Sequence, residues 1–124
     1  MAITNVQLFS VPVSDQDRAR DFYVGVLGLE LVQDARMGPD MRWVMVRPAG
    51  AETAITLVTW FPSMPPGSLR GLVLEAGDLE DTLETLRRRG AEVPGGIQTA
   101  PWGRYVELAD PDGNGLILQE STVI

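Results

Sequence analysis

The feature that most constrains this chain is that it repeats itself at an offset of about 62 residues. Gly28-Leu29-Glu30-Leu31 falls on Gly90-Ala91-Glu92-Val93, and Arg42-Trp43-Val44 falls on Arg104-Tyr105-Val106. Asp15 meets Asp78, and Thr56 meets Ile117, within one residue of the same offset. Several matches in order at nearly one spacing mark a duplicated unit.

The local patterns say what that unit is. In residues 3–13 the side chains Phe9, Val11 and Val13 alternate as on a half-buried strand. Asp15 then offers a cap to a helix whose stripe is Ala19, Phe22, Tyr23, Val26 and Leu27, and Gly28 ends it. Strands are expected at 29–34, 42–47 and 53–60. Phe61 to Ser68 carries three prolines and reads as a linker. The order then returns: a strand at 69–75, a helix from Asp78 to Gly90 with Leu79, Thr82, Leu83 and Leu86 on one face, and strands at 91–98, 103–109 and 115–120. The reading is one domain over 1–124, with a first module at about 1–60, a linker at 61–68 and a second module at about 69–124.

Composition narrows the chemistry. The chain has no His, no Cys and no Lys, which removes the imidazole base, the thiolate and the Schiff-base amine, along with the commonest ligands of zinc and non-haem iron. The net charge of −7 disfavours nucleic acid. The one basic run, Arg87-Arg88-Arg89, sits where a helix C-terminus welcomes cations. No apolar run approaches the roughly 18–20 residues that cross a bilayer, and no signal-like start is evident. The expectation is therefore a cytoplasmic protein that needs no membrane partner and no cofactor.

The run from Val11-Pro12-Val13-Ser14-Asp15 through Phe22-Tyr23 to Leu27-Gly28 resembles the opening of the glyoxalase/bleomycin-resistance/dioxygenase proteins, the vicinal oxygen chelate (VOC) superfamily. Asp110-Pro111-Asp112-Gly113-Asn114-Gly115 followed by Leu116-Ile117-Leu118 resembles that family's closing strand pair. The resemblance implies an α+β fold in which two tandem βαβββ modules form a glyoxalase-like trough of mixed, strongly curved sheet. It also implies a homodimer. Metal-dependent members carry His or Glu at positions that correspond here to Leu8, Thr56, Gly71 and Ile117, none of them a ligand. No metal is therefore expected, and the bleomycin-resistance branch, which protects by binding, is the nearer analogue. Asp110, Asp112 and Asn114 imitate the start of a calcium loop, but residue 121 is Ser rather than Glu, and Asp-Gly and Asn-Gly are ordinary turn dipeptides.

Strand alternation assigns the trough. With Val44, Val46, Val106 and Leu108 in the core, the ligand-facing set is Leu8, Ser10, Trp43, Met45, Thr56, Val58, Trp60, Tyr105, Glu107, Ile117 and Gln119, with Trp102 in a hairpin turn. Trp43, Trp60 and Tyr105 either stack on a flat or cationic molecule or simply fill space. Trp102 either lids the opening or packs on the surface. Glu107 has three readings: counter-charge to a cationic ligand, general base with a raised pKa, or internal ion pair with an Arg such as Arg104 or Arg42. A tightly filled trough would leave a stand-alone dimerisation or regulatory module with no ligand; an open one leaves two functions. One is a binding protein for a small aromatic or cationic molecule; the other is a metal-independent isomerase, lyase or hydrolase using Glu107 and Tyr105 as catalytic acid and base.

Overall fold

A computed structural model of the chain describes residues 1–122. The first half contains β1 (Leu8–Pro12), α1 (Gln16–Arg20), β2 (Glu30–Gly38), β3 (Met41–Arg47) and β4 (Ala54–Val58). The second contains β5 (Leu72–Glu75), α2 (Leu79–Arg88), β6 (Gln98–Ala100), β7 (Gly103–Ala109) and β8 (Gly115–Ser121). Each half makes a four-stranded mixed sheet, in the orders β1-β4-β3-β2 and β5-β8-β7-β6. The shared order is the duplication made visible. β1 runs parallel to β4 and β5 parallel to β8, while the remaining pairs are antiparallel. Among the described residues neither sheet closes on itself, and no strand of one pairs with a strand of the other. This is the two-module α+β fold that the sequence implies.

The helices form where the stripe and caps place them. The Asp15 carboxylate accepts from the Arg18 amide at 3.1 Å, starting α1. The helix then widens into a π-helical segment, Asp21–Val26, before Gly28 ends it at φ 75°. Asp78 caps α2, whose Leu79, Leu83 and Leu86 are buried, and Gly90 ends it at φ 92°. These side chains join Val11, Val13, Tyr23, Val44, Val46, Val106, Leu108, Leu116 and Leu118 in one cluster drawn from both halves. A core shared in this way holds the halves together by apolar burial. No helix among the described residues is long and apolar enough to cross a membrane.

A polar staple joins the halves where the family-like Asp-Pro-Asp-Gly-Asn segment turns. The Asp110 amide donates to the Asn114 carbonyl at 3.0 Å, which is the expected tight turn. Its side chains do more than turn the chain. The Tyr23 hydroxyl donates to Asp110 Oδ2 at 2.9 Å, and Asn114 Nδ2 donates to that same oxygen and to the Pro12 carbonyl, both at 2.8 Å.

Two expectations are corrected. The strand expected at 91–98 is absent over most of that length: β6 occupies only Gln98–Ala100, and residues 91–97 form a loop. Pro94 has no N–H for a ladder, and Gly95-Gly96 favours a turn, so pairing begins only beyond them. The strands expected at 3–13 and 69–75 are also trimmed, to Leu8–Pro12 and Leu72–Glu75.

Candidate cavity on the second sheet

Val44, Val46 and Val106 are fully buried and Leu108 nearly so, leaving their odd-numbered neighbours on the opposite face of each sheet. On the first sheet, Trp43 and Trp60 stack at 6.3 Å with 22° between ring planes. Thr56 is paired in register with both Ser10 and Met45. The Ser10 and Thr56 hydroxyls share a hydrogen bond of 3.0 Å. Leu8 lies on the same face through its pairing with Ala54, and Val58, buried, follows Thr56 by one alternation. On the second sheet, Tyr105 pairs with Gln119 and Glu107 with Ile117. The Tyr105 hydroxyl donates to Gln98 Oε1 at 3.4 Å. Trp102 lies in the β6–β7 turn and is 55% exposed.

A cavity of about 730 Å³ opens on the second sheet. That is within the range that takes drug-sized molecules. Of the residues expected to bind a ligand, only Glu107 and Ile117 line it; the rest of its wall comes from Phe22, Arg70, Gly71, residues of the segment from Gly90 to Gln98, Leu108 and Ala109 of β7, the β7–β8 turn, and Leu116 of β8. The Trp43–Trp60 pair and the Ser10–Thr56 pair lie on the other sheet. The missed residues, Gln98 and Glu92 above all, belong to the segment taken for a regular strand. The Pro94-Gly95-Gly96 run was the signal that could have exposed them.

The charged groups sort into those already paired and those left to the cavity. Arg42 holds Asp34 through two bonds of 2.8 Å and reaches Asp17 at 2.8 Å. At the duplicated position Arg104 holds Glu80 and Glu120. Arg42 thereby keeps the Asp34 carboxyl well below the usual carboxylate range, and Arg104 lowers Glu80 to about 2. Both arginines are thus engaged with other carboxylates, and the ion-pair reading of Glu107 is wrong: among the described residues Glu107 forms no salt bridge. Arg70 donates to the carbonyls of Gly67, Leu69 and Gly113, and the Asp110 carboxylate is held by Tyr23 and Asn114. Burial first, and then Asp110, raise the Tyr23 hydroxyl above its ordinary range, so it is a donor and not a base. Among the described residues, Glu92 and Glu107 are the cavity-wall carboxylates whose side chains make no hydrogen bond or salt bridge, whereas Asp110 is held by Tyr23 and Asn114.

Sequence comparison decides the family. The glyoxalase/bleomycin resistance protein/dioxygenase superfamily model matches residues 5–118. The chain belongs to this superfamily. Among its members, TnmS3, an antibiotic binding protein from Streptomyces sp. CB03234, is 50% identical, with a TM-score of 0.92 over 98% of this chain and 99% of that one. A glyoxalase/bleomycin resistance protein from the same organism is 48% identical, with a TM-score of 0.84 over 94% of this chain and all of that one. The uncharacterized protein YetH of Bacillus subtilis is 34% identical over 121 residues, covering 95% of this chain and 99% of that protein.

The superfamily's metal-dependent members raise the question of whether this site suits a divalent ion. The family resemblance puts Leu8, Thr56, Gly71 and Ile117 at the corresponding positions, and none of them is a His or a carboxylate; the Thr56 hydroxyl is engaged by Ser10. Among the described residues no three His, Cys, Asp or Glu side chains are grouped to hold a metal. A catalytic zinc wants about three such ligands, and this donor set does not fit one.

Proposed function

We propose that this protein is a cytoplasmic, metal-independent binding protein that sequesters a small aromatic or cationic molecule on the faces its sheets turn away from the core. The observation that carries the reading is the cavity on the second sheet, lined by the unpaired Glu92 and Glu107 and large enough for such a ligand. Two further observations support it. Trp43 and Trp60 present stacked indole faces on the first sheet. A protein half identical over nearly its whole length is described as antibiotic binding. A homodimer belongs to the same proposal, supported by Leu31, Val32, Met37 and Met41 left exposed on β2 and β3; sedimentation velocity reads it.

Tryptophan fluorescence titration against cationic glycopeptide and flat aromatic antibiotics tests the binding reading. Saturable quenching is expected. Trp43→Ala and Trp60→Ala should each weaken it by about tenfold or more, the usual effect of removing an aromatic anchor. Unchanged titrations in both variants would remove the first sheet from the site.

The alternative is a metal-independent isomerase, lyase or hydrolase, favoured by one observation: Glu107 reaches the cavity free of any ion pair. A single positioned acid–base group contributes about 10²–10⁴-fold. Turnover that survives chelation and is lost in Glu107→Gln would establish this reading in place of the first.

A further inference from the structure

The two halves differ where the duplication leads one to expect sameness. In the first, β2 pairs along β3, with Gln33 opposite Met45 and Glu30 opposite Arg47. At the offset of 62 these two β3 residues become Glu107 and Ala109 of β7. There the neighbouring strand is missing, because β6 pairs only with Gly103, Arg104 and Tyr105. No backbone hydrogen bond joins residues 91–97 to β7 among the described residues.

The direction of the unmatched groups follows from the ladder. On the β8 side the Trp102 carbonyl accepts from the Thr122 amide, and the Asp110 amide donates to the Asn114 carbonyl. In an antiparallel pair, residues that bond to one neighbour alternate with residues that point their N–H and C=O the other way. Even-numbered residues of β7 therefore face β8, and Gly103, Tyr105, Glu107 and Ala109 face β6. The first two find partners there in Ala100 and Gln98. Glu107 and Ala109 do not, and both line the cavity. A short open strand edge, with a donor and an acceptor on each of two residues, thus borders a pocket of ligand size.

We infer that this edge is a recognition element for a short, extended, amide-bearing cation, a peptidic small molecule that takes the place of the missing part of β6. Backbone amides supply the alternating acceptors and donors that Glu107 and Ala109 require, as in strand addition to an open sheet edge. The charge comes from the same wall. One arginine, Arg70, faces three carboxylates on this wall, Glu92, Glu107 and Asp110, so the lining keeps a formal charge of −2 that attracts an ammonium or guanidinium group. The inference rests on the small-molecule reading and narrows it to a ligand with peptide bonds.

Amide NMR of the 15N-labelled full chain separates the possibilities. The probes are the tripeptide Lys-Ala-Ala-amide, its depsipeptide analogue with one peptide N–H replaced by an ester oxygen, and an amide-free cationic acridine. The tripeptide should shift the Glu107 and Ala109 amides saturably and slow their hydrogen exchange. The depsipeptide should bind about tenfold more weakly, as expected for loss of one or two hydrogen bonds. If the acridine binds at this wall and the two peptides bind equally or not at all, strand-edge recognition is wrong while the small-molecule reading stands. If none of the three perturbs any cavity or trough residue, both fall. If the two amides are already protected and become exchangeable on dilution of the free protein, a second copy covers the edge and the ligand proposal is overturned.

Discussion

Asp110 is 5% exposed, and its carboxylate accepts four hydrogen bonds: from the amides of Asp112 and Asn114, from Asn114 Nδ2 and from the Tyr23 hydroxyl. Asp110→Ala leaves those buried donors without an acceptor and should cost about 3 kcal/mol, read as a lower urea midpoint. Tyr23→Phe removes one bond and should cost about 1 kcal/mol. Its second effect concerns pH. The folded pKa of Tyr23 is raised above the unfolded value of about 10. The contribution is therefore intact below about pH 10 and is lost as pH rises further, because the unfolded chain sheds a proton that the folded chain keeps. Tyr23→Phe should flatten that alkaline decline. In the sequence, Asp110-Pro111-Asp112-Gly113 is legible as a turn. Its burial is not, because the tyrosine it needs stands 87 residues away.

Strands β3, β7 and β8 are legible because each has one face in the core, and alternation then fixes the other face; β4 is buried along its whole length. The helices were readable from stripe and cap, although the π-helical widening of Asp21–Val26 leaves no sign in an apolar spacing that suits either form. The repeated element order predicts a strand over 91–98, but Pro94 lacks the N–H a ladder needs, and β6 is confined to Gln98–Ala100. The link between strand and helix is ionic in both halves, through Arg42 and Arg104. Glu80 and Glu120 are depressed by Arg104. Their contribution is present above the unfolded carboxyl value of about 4.3 and is lost as pH falls toward about 2, the folded value of Glu80. Arg104→Gln should therefore flatten the acid limb of stability between those limits, measured by denaturation at a series of pH values. These side chains are solvent-exposed, so added salt should mute the difference. A glycine fixes the linker in the same concrete way: Gly67, at φ 82°, brings its α-carbon so near the Asp112 carbonyl that an added β-carbon would lie 2.2 Å from that oxygen. Gly67→Ala should destabilise by about 2 kcal/mol or more, through strain and displacement of the turn.

For the whole molecule, duplication supplies the fold, and divergence between the copies supplies the candidate site. The apolar side chains that make one shared core were legible as two repeated stripes. The cavity was not, since it arises where the second copy fails to complete its sheet and recruits Phe22 and Arg70 from outside β7 and β8. The absence of His, Cys and Lys was legible at once and remains the main chemical constraint on any function. The proposal that this family member binds without a metal is tested most directly by isothermal titration of one antibiotic ligand before and after exhaustive chelation. Saturable binding with the same affinity and stoichiometry in both samples is the expected result. Binding that vanishes on chelation and returns with added zinc, manganese or iron would contradict it.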